Sequence, residues 1–132
     1  MVPVKYSQIT DEIIIDVSVL YYPEQSMPVE SQYFFAYRIT ITNTSNETIQ
    51  LMRRHWSISD GFGTLREVDG AGVVGLLPRI KPGDSFEYTS GCNLDTATGE
   101  MWGYYTIYKG KSKIKHQITI PRFYMQYPYA LN

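Results

Sequence analysis

Hydrophobic and polar residues alternate along several short stretches of the chain, as they do in β-strands with one buried face. The clearest stretch covers residues 33–43, where the side chains that share one face are Tyr33, Phe35, Tyr37, Ile39 and Ile41. Residues 12–22 alternate in the same way. No stretch of ten residues has the periodicity of an amphipathic helix. The pattern therefore predicts an all-β chain.

Five further strands are predicted, at residues 49–59, 64–68, 86–91, 100–109 and 112–123. In the strand at residues 49–59 the apolar residues do not keep one alternation. Ile49 and Leu51 would share one face, whereas Trp56 and Ile58 would share the opposite face. A bulge near Arg53-Arg54 would bring both pairs to the same face. Seven strands, separated by turn signals about 8–12 residues apart, predict an antiparallel β-sandwich of two sheets, with an open barrel as the alternative.

The composition fits a single domain over residues 1–132. Hydrophobic residues make up 43%, and the twelve tyrosines favour sheets. No apolar run approaches the roughly 20 residues that span a bilayer, and no signal peptide is read, so no membrane association and a cytoplasmic location are expected. The net charge of −1 does not favour nucleic-acid binding.

A glycine-rich segment at residues 67–83 contains the pattern G-x-G-x-x-G through Gly70, Gly72 and Gly75. In dinucleotide-binding folds a helix follows these glycines and holds the pyrophosphate at its N-terminus. Pro78 and Pro82 exclude that helix here. The segment is therefore predicted to be a loop.

Two interpretations of this loop remain open. Its backbone N–H groups could form a concave nest for a nucleotide, pyrophosphate or another phosphate-containing small molecule, although Glu67 and Asp69 would repel an anion. In this hypothesis the cations beside the glycines would add positive charge, and they are Arg66, Arg79 and Lys81. Alternatively, the glycines provide positive φ angles where a long connection crosses from one sheet to the other.

A second group of candidate residues is aromatic and basic. Arg53 and His55 share one face of their strand and could contact an anion or a protein partner; the alternative is a structural network around Trp56. A strip formed by Trp102, Tyr104 and Tyr108 could be an exposed partner surface. The alternative is that the strip packs under the C-terminal aromatic residues, which are Phe123, Tyr124 and Tyr127.

Metal binding and catalysis have little support in the sequence. His55, His116 and Cys92 are the only imidazoles and the only thiol, and they lack the local spacing of a zinc or cobalt site. The single cysteine excludes an internal disulfide. No nucleophile, base and orienting group stand out together. We therefore expect neither an enzyme nor a bound metal or other cofactor.

Several segments together resemble the ApaG family. In chain order they are YFFAYRITITN (33–43), RHWSISDGFG (54–63), EVDGAGVVG (67–75), LPRIKPGDSFEYTSGC (77–92) and TGEMWGYY (98–105). The resemblance implies an immunoglobulin- or fibronectin-type-III-like sandwich. It also implies a link to cobalt resistance and magnesium efflux, as for bacterial members, and protein interaction, as for the related eukaryotic domains.

The function predicted from residues and resemblance together is that of a non-enzymatic interaction module that binds a protein partner. Nucleotide or pyrophosphate binding at residues 70–75 is the alternative. A homodimer formed by pairing of sheet edges stays open, because a sandwich has unpaired edge strands.

Overall fold

A computed structural model describes residues 2–129 and contains nine strands in two antiparallel sheets. The strands are β1 (Val4–Thr10), β2 (Ile13–Tyr21), β3 (Tyr33–Asn43), β4 (Ile49–Asp60), β5 (Leu65–Ala71), β6 (Arg79–Ile80), β7 (Ser85–Leu94), β8 (Thr98–Lys109) and β9 (Lys115–Gln126). The first sheet has the order β1-β2-β3-β7. The second has the order β5-β4-β8-β9, with β6 paired to the other end of β4. The predicted β-sandwich is confirmed.

The core lies between the two sheets and follows the alternation of the sequence. In β2 and β3 every second side chain is buried, from Ile13 to Tyr21 and from Phe35 to Ile41. The inner faces of β8 and β9 contribute Met101, Tyr105 and Phe123. No helix among residues 2–129 is long and apolar enough to cross a membrane.

The predicted bulge in β4 is present, one residue before its expected place. The pairing of β4 with β8 shifts register between Leu51 and Arg53. As a result Ile49 and Leu51 before the shift, and Trp56 and Ile58 after it, are all buried. The extra residue reverses which side chains of the second half of β4 face the core, so the apolar side chains of both halves are buried.

Strand β1 was not among the predicted strands. It lies at the edge of the first sheet, and Val4 and Ile9 are 55% and 61% exposed. Its two apolar residues are five positions apart, so they do not share the period of two by which buried strands are recognised.

Strand β9 begins and ends three residues later than the predicted 112–123. Ile114, which lies within the predicted strand, is outside β9 and is 66% exposed. Pro121 lies inside β9 because the strand is at the sheet edge and the pairing with β8 shifts register nearby. The connection between the strands predicted at 86–91 and 100–109 is also shorter than expected, because β7 extends to Leu94 and β8 begins at Thr98.

The glycine-rich segment 67–83 is a loop between β5 and β6 only over residues 72–78, because β5 extends to Ala71 and β6 begins at Arg79. This glycine-rich loop does not cross between the sheets, so the crossing interpretation is wrong in its topology. Strands β5 and β6, which flank the loop, both pair with β4 in the second sheet. The chain crosses to the first sheet only after β6, through residues 81–84, before β7 begins at Ser85.

The two open sides of the sandwich differ. On one side β1 and β2 pack against β9, and the Tyr6 hydroxyl and Thr10 Oγ1 accept hydrogen bonds from the Tyr124 and Thr119 backbone amides, each at 3.3 Å. On the other side Arg66 of β5 donates a 2.7 Å hydrogen bond to the carbonyl oxygen of Asn93 in β7. A cleft lies between these two strands.

Candidate functional site

The solvent-facing side of the second sheet carries two cross-strand rows of polar and aromatic side chains. The first row follows the pairing of Asp69, His55 and Tyr104 across β5, β4 and β8. The second row follows the pairing of Glu67, Ser57 and Trp102 across the same strands, and Arg122 of β9 lies over Trp102. We call this surface the outer aromatic face.

His55 lies at the centre of the outer aromatic face. Its Nδ1 is 2.8 Å from Asp69 Oδ1, and its Nε2 is 3.9 Å from Glu67 Oε1. The imidazole stacks on the Tyr104 ring, with 5.0 Å between centroids and 19° between planes. Only 19% of the His55 side chain is exposed. These contacts hold the imidazole flat against the sheet, because such cross-strand neighbours lie within direct reach.

Trp102 is held in a similar way. The guanidinium carbon of Arg122 is 4.1 Å from the centroid of the Trp102 ring, which is a cation–π arrangement. Arg122 Nη1 also lies 3.6 Å from Glu100 Oε2. The Trp102 indole is therefore partly exposed and is held against the Arg122 guanidinium.

Gly103 lies between Trp102 and Tyr104 at a position where a side chain would not fit. It pairs with Trp56 on the core side of β8, and a Cβ there would overlap the carbonyl oxygen of His55. A glycine thus allows β8 to approach β4 closely at the point where Trp102 and Tyr104 project outward.

The structure brings the five predicted partner-binding residues to one surface. Arg53, His55, Trp102 and Tyr104 share the outer face of β4 and β8, and Tyr108 continues it beside Gln50. The C-terminal aromatic residues do not cover the strip: Phe123 is in the core, Tyr124 contacts Tyr6, and Tyr127 contacts Tyr21 and Tyr33. Trp56 is buried on the opposite side of the sheet, so it does not organise Arg53 and His55.

Three charged residues of the outer aromatic face were not predicted from the sequence to belong to it: Glu67, Asp69 and Arg122. Glu67 and Asp69 were considered only as neighbours of the glycines, although their alternation in β5 places them opposite Ser57 and His55. Arg122 was not predictable, because the register shift between β8 and β9 decides which residue lies over Trp102.

The six predicted anion-binding residues are not brought together. Gly72 and Gly75 lie in the loop, and Arg79 and Lys81 follow it as exposed residues. Arg66 pairs with Ile58 near the other end of β5 and contacts Asn93. Gly70 lies within β5, where a Cβ would come 2.7 Å from Nη1 of Arg54.

The backbone N–H groups of the glycine-rich loop bond within the loop or to β4. Gly72 donates to Met52, and Val73 and Leu76 exchange two hydrogen bonds of 2.8–2.9 Å around a turn. Val74 and Gly75 at its centre both have positive φ, as in a type I′ turn. The carbonyl oxygens of Ala71 and Gly72 accept bonds from Arg54 Nη1, each at 3.0 Å. This part of the loop therefore presents acceptors to a guanidinium.

The nucleophilic side chains near these strands are engaged or buried. Ser57 donates a 3.4 Å hydrogen bond to Glu67, so it is not aligned with the His55–Asp69 pair as a nucleophile. Burial raises the pKa of the Cys92 thiol, and neighbouring Arg66 only partly opposes this. Residues 2–129 contain no group of three or more His, Cys, Asp or Glu side chains that could hold a metal ion.

Comparison with known proteins gives consistent matches. The ApaG domain model matches residues 23–109. Protein ApaG of Bdellovibrio bacteriovorus is 49% identical over 118 residues, covering 89% of this chain and 92% of that protein. Protein ApaG of Brucella abortus is 45% identical over 93% of this chain and 94% of its own length. These names specify no reaction.

A solved structure agrees with the sequence relatives. The crystal structure of the putative ApaA protein from Bordetella pertussis superimposes with a TM-score of 0.85 at 41% identity, over 97% of this chain and all of that one. The family model covers the glycine-rich loop and strands β4, β5 and β8 of the outer aromatic face, whereas β9 with Arg122 lies beyond it. The chain belongs to the ApaG domain family.

Proposed function

We propose that this protein is a non-enzymatic interaction module that binds a protein partner through the outer aromatic face. The observation that carries the proposal is the convergence of an indole, a phenol, an imidazole and two arginines on one sheet surface. Tryptophan, tyrosine and arginine are the residues that most often dominate protein–protein binding energy.

The outer face of the first sheet provides the contrast. Its central positions are occupied by small hydroxyl and charged side chains, with Thr40 bonded to Glu87 and Thr42 to Ser85, each at 2.9 Å. This is an ordinary solvated sheet surface. The centre of this face therefore presents hydroxyl and charged groups, and its aromatic pair, Tyr22 with Phe34, lies toward one end of β3.

The arrangement of the outer aromatic face also supports binding energetically. The Tyr104 ring is stacked with His55 and the Trp102 ring with Arg122, so a partner would meet side chains already held in place. Immobilising a free side chain at an interface costs about 0.5–1.5 kcal/mol. Prior stacking reduces that cost.

The link of the family to cobalt resistance and magnesium efflux is explained by the same proposal. A protein that binds a partner through the outer aromatic face would influence divalent cations through that partner.

A pull-down from the source cells tests the proposal. The bait would be wild-type protein, a Trp102→Ala, Tyr104→Ala variant, and an Arg38→Ala, Thr40→Ala variant as the matched control on the opposite face. We expect recovery of a specific partner to fall at least about tenfold with the first variant, since aromatic hot spots commonly contribute about 2 kcal/mol or more.

Equal recovery with wild-type protein and the Trp102→Ala, Tyr104→Ala variant would exclude the outer aromatic face as the binding surface. Melting curves of both variants check that the sandwich is intact, which we expect because Trp102 and Tyr104 lie outside the core.

Nucleotide or pyrophosphate binding by residues 70–75 is the second hypothesis, and it has less support. The loop donates the N–H groups of Gly72, Val73 and Leu76 to its own backbone or to β4. An anion nest needs successive N–H groups that are free to converge on the ligand.

A further inference from the structure

The open side of the sandwich between β5 and β7 contains a cleft that the proposed interaction surface does not use. Its volume is about 310 Å³, near the lower end of the range for small-molecule sites. Buried Trp56, Ile58 and Met101 form an apolar floor, while Arg54 and Arg66 line it from the second sheet. Ser90 and Cys92 line it from the first sheet.

The two arginines give this cleft a positive charge, while Asp60 and Asp95 line an adjoining depression that shares Arg66. Within residues 2–129, no carboxylate oxygen lies within 4.0 Å of the guanidinium of Arg54 or Arg66; the salt bridges there involve other residues. Nor does any Asp or Glu line the cleft. Arg54 is half-buried, and a buried charge is costly unless it is paired, so its guanidinium is incompletely compensated by the protein itself, whereas Arg66 is exposed.

Both guanidiniums are held in place but keep hydrogen-bonding capacity. Arg54 uses Nη1 to donate to the carbonyls of Ala71 and Gly72, and Arg66 uses Nη2 to donate to Asn93 and the sulfur of Cys92. A guanidinium has five N–H donors, so the other nitrogen atoms of each group remain for a ligand. Gly70 makes this position possible for Arg54, because any side chain there would overlap the guanidinium.

The neutral groups of the cleft fit the same chemistry. Tyr37, opposite Ser90 in the pairing of β3 with β7, has a pKa raised by burial, so it stays a neutral phenol. Burial likewise raises the pKa of Cys92, which keeps it a thiol instead of an anionic thiolate. The cleft therefore combines two cations with neutral polar groups and an apolar floor.

We propose that the cleft between β5 and β7 binds a small molecule through an oxyanion group, either phosphoryl or carboxylate, which Arg54 and Arg66 recognise. The planar guanidinium fork matches the oxygen geometry of both groups. The apolar part of the ligand would lie against Trp56, Val68 and Met101. This site is separate from the outer aromatic face, because Arg54, Arg66 and Trp56 lie on the opposite face of the second sheet.

A titration of the full-length, ¹⁵N-labelled protein tests the proposal by amide chemical shifts. Pyrophosphate and malonate are added separately at constant ionic strength, with sodium chloride as the reference. We expect saturable shifts of the amides of residues 68–70 and 90–93 with at least one probe. Response to pyrophosphate alone identifies phosphoryl recognition, response to malonate alone identifies carboxylate recognition, and response to both identifies a general oxyanion site.

Two variants show which arginines carry the binding. Arg66→Gln, on the exposed edge strand, is expected to weaken binding about tenfold or more, since a hydrogen bond to a charged group contributes about 1.5–3 kcal/mol. Arg79→Gln removes an exposed arginine beside the glycine-rich loop and serves as the matched control, with unchanged binding expected.

The proposal would be overturned by any of three results. These are the absence of saturable shifts at tens of millimolar probe, shifts centred on residues 72–77 in place of the cleft, or equal affinity of wild-type protein and a folded Arg66→Gln variant. The wild-type titration decides on location by itself if a variant does not fold. None of these results bears on the outer aromatic face, so the two proposals fail independently.

Discussion

Tyr88 and Tyr105 bring their hydroxyl groups together in the core, where β7 of one sheet faces β8 of the other. Burial raises the pKa of both phenols above the ordinary value of 10.0. For Tyr88 the hydrogen bond from Tyr105 partly offsets the rise, whereas for Tyr105 the proximity of Tyr88 adds to it. Each phenol is thus kept neutral by the native structure.

This pair predicts a loss of stability in alkaline solution. Below pH 10 both phenols are protonated in the native and unfolded states, so they add no pH dependence. Above pH 10 the unfolded chain ionises them while the native protein does not, and the free energy of unfolding falls by up to about 1.4 kcal/mol per pH unit for each group. Denaturant unfolding at pH 8 and pH 11 measures this loss.

The control is a Tyr88→Phe, Tyr105→Phe variant, which removes both partners of the hydrogen bond together. Its stability at pH 8 is expected to lie within about 1 kcal/mol of wild type, because no buried polar group is left unpaired. Its loss between pH 8 and pH 11 should be clearly smaller. An equal loss in the two proteins would assign the alkaline sensitivity to other groups.

At the scale of elements, alternation predicted the strands whose two faces differ most. Residues 33–43 were predicted with the observed bounds of β3, because each buried side chain there is followed by a more exposed one. The bulge in β4 was also predictable, since Leu51 and Trp56 differ in parity yet both belong in a core. Strand β1 was missed because it is exposed on both faces except at Tyr6 and Thr10.

The outer aromatic face was predicted only in part. Because alternate residues of a strand share a face, the sequence alone predicted that Arg53 lies beside His55 and Trp102 beside Tyr104. This prediction does not depend on the order of the strands in the sheet. The neighbours of these residues depend on which strands pair and in what register, as the contacts of Asp69 with His55 and of Arg122 with Trp102 illustrate. Such long-range pairings leave no local signal in the sequence.

The connection between β5 and β6 gives a prediction about its glycines. Gly72 has φ of 59°, and a Cβ there would overlap the carbonyl oxygen of Leu76. We expect Gly72→Ala to reduce the free energy of unfolding by about 3 kcal/mol, from backbone strain and the steric overlap together. Urea unfolding at neutral pH measures the change.

Gly75→Ala is the matched comparison within the same turn. Gly75 has φ of 78°, but a Cβ would meet no other described atom within 4 Å. The expected loss is about 1 kcal/mol, from backbone strain alone. If the two variants were equally stable, the close approach of Gly72 to Leu76 would not be what requires a glycine there.

At the scale of the whole molecule, the sandwich separates two surfaces of different chemistry. The outer aromatic face presents stacked rings and arginines on a broad sheet, which fits a macromolecular partner. The cleft between β5 and β7 is lined by two arginines above a floor of core residues, which fits a small anion. Strand β4 contributes to both, because His55 points outward and Arg54 points inward from adjacent positions.

This shared strand explains why Arg53, Arg54, His55 and Trp56 could not be assigned one role from the sequence. Alternate residues in a strand point to opposite faces, so the segment divides between the outer aromatic face and the interior. Arg54 and Trp56 belong to the cleft and core, whereas Arg53 and His55 belong to the outer aromatic face.

Site-specific photo-cross-linking in the source cells tests the central claim most directly. Benzoylphenylalanine replaces Tyr104 in one protein and Thr40, at the centre of the opposite outer face, in the other. We predict a discrete covalent adduct with a second protein from position 104 and none from position 40. Adducts of equal yield from the two positions, or an adduct from position 40 alone, would contradict the assignment of the outer aromatic face as the partner surface.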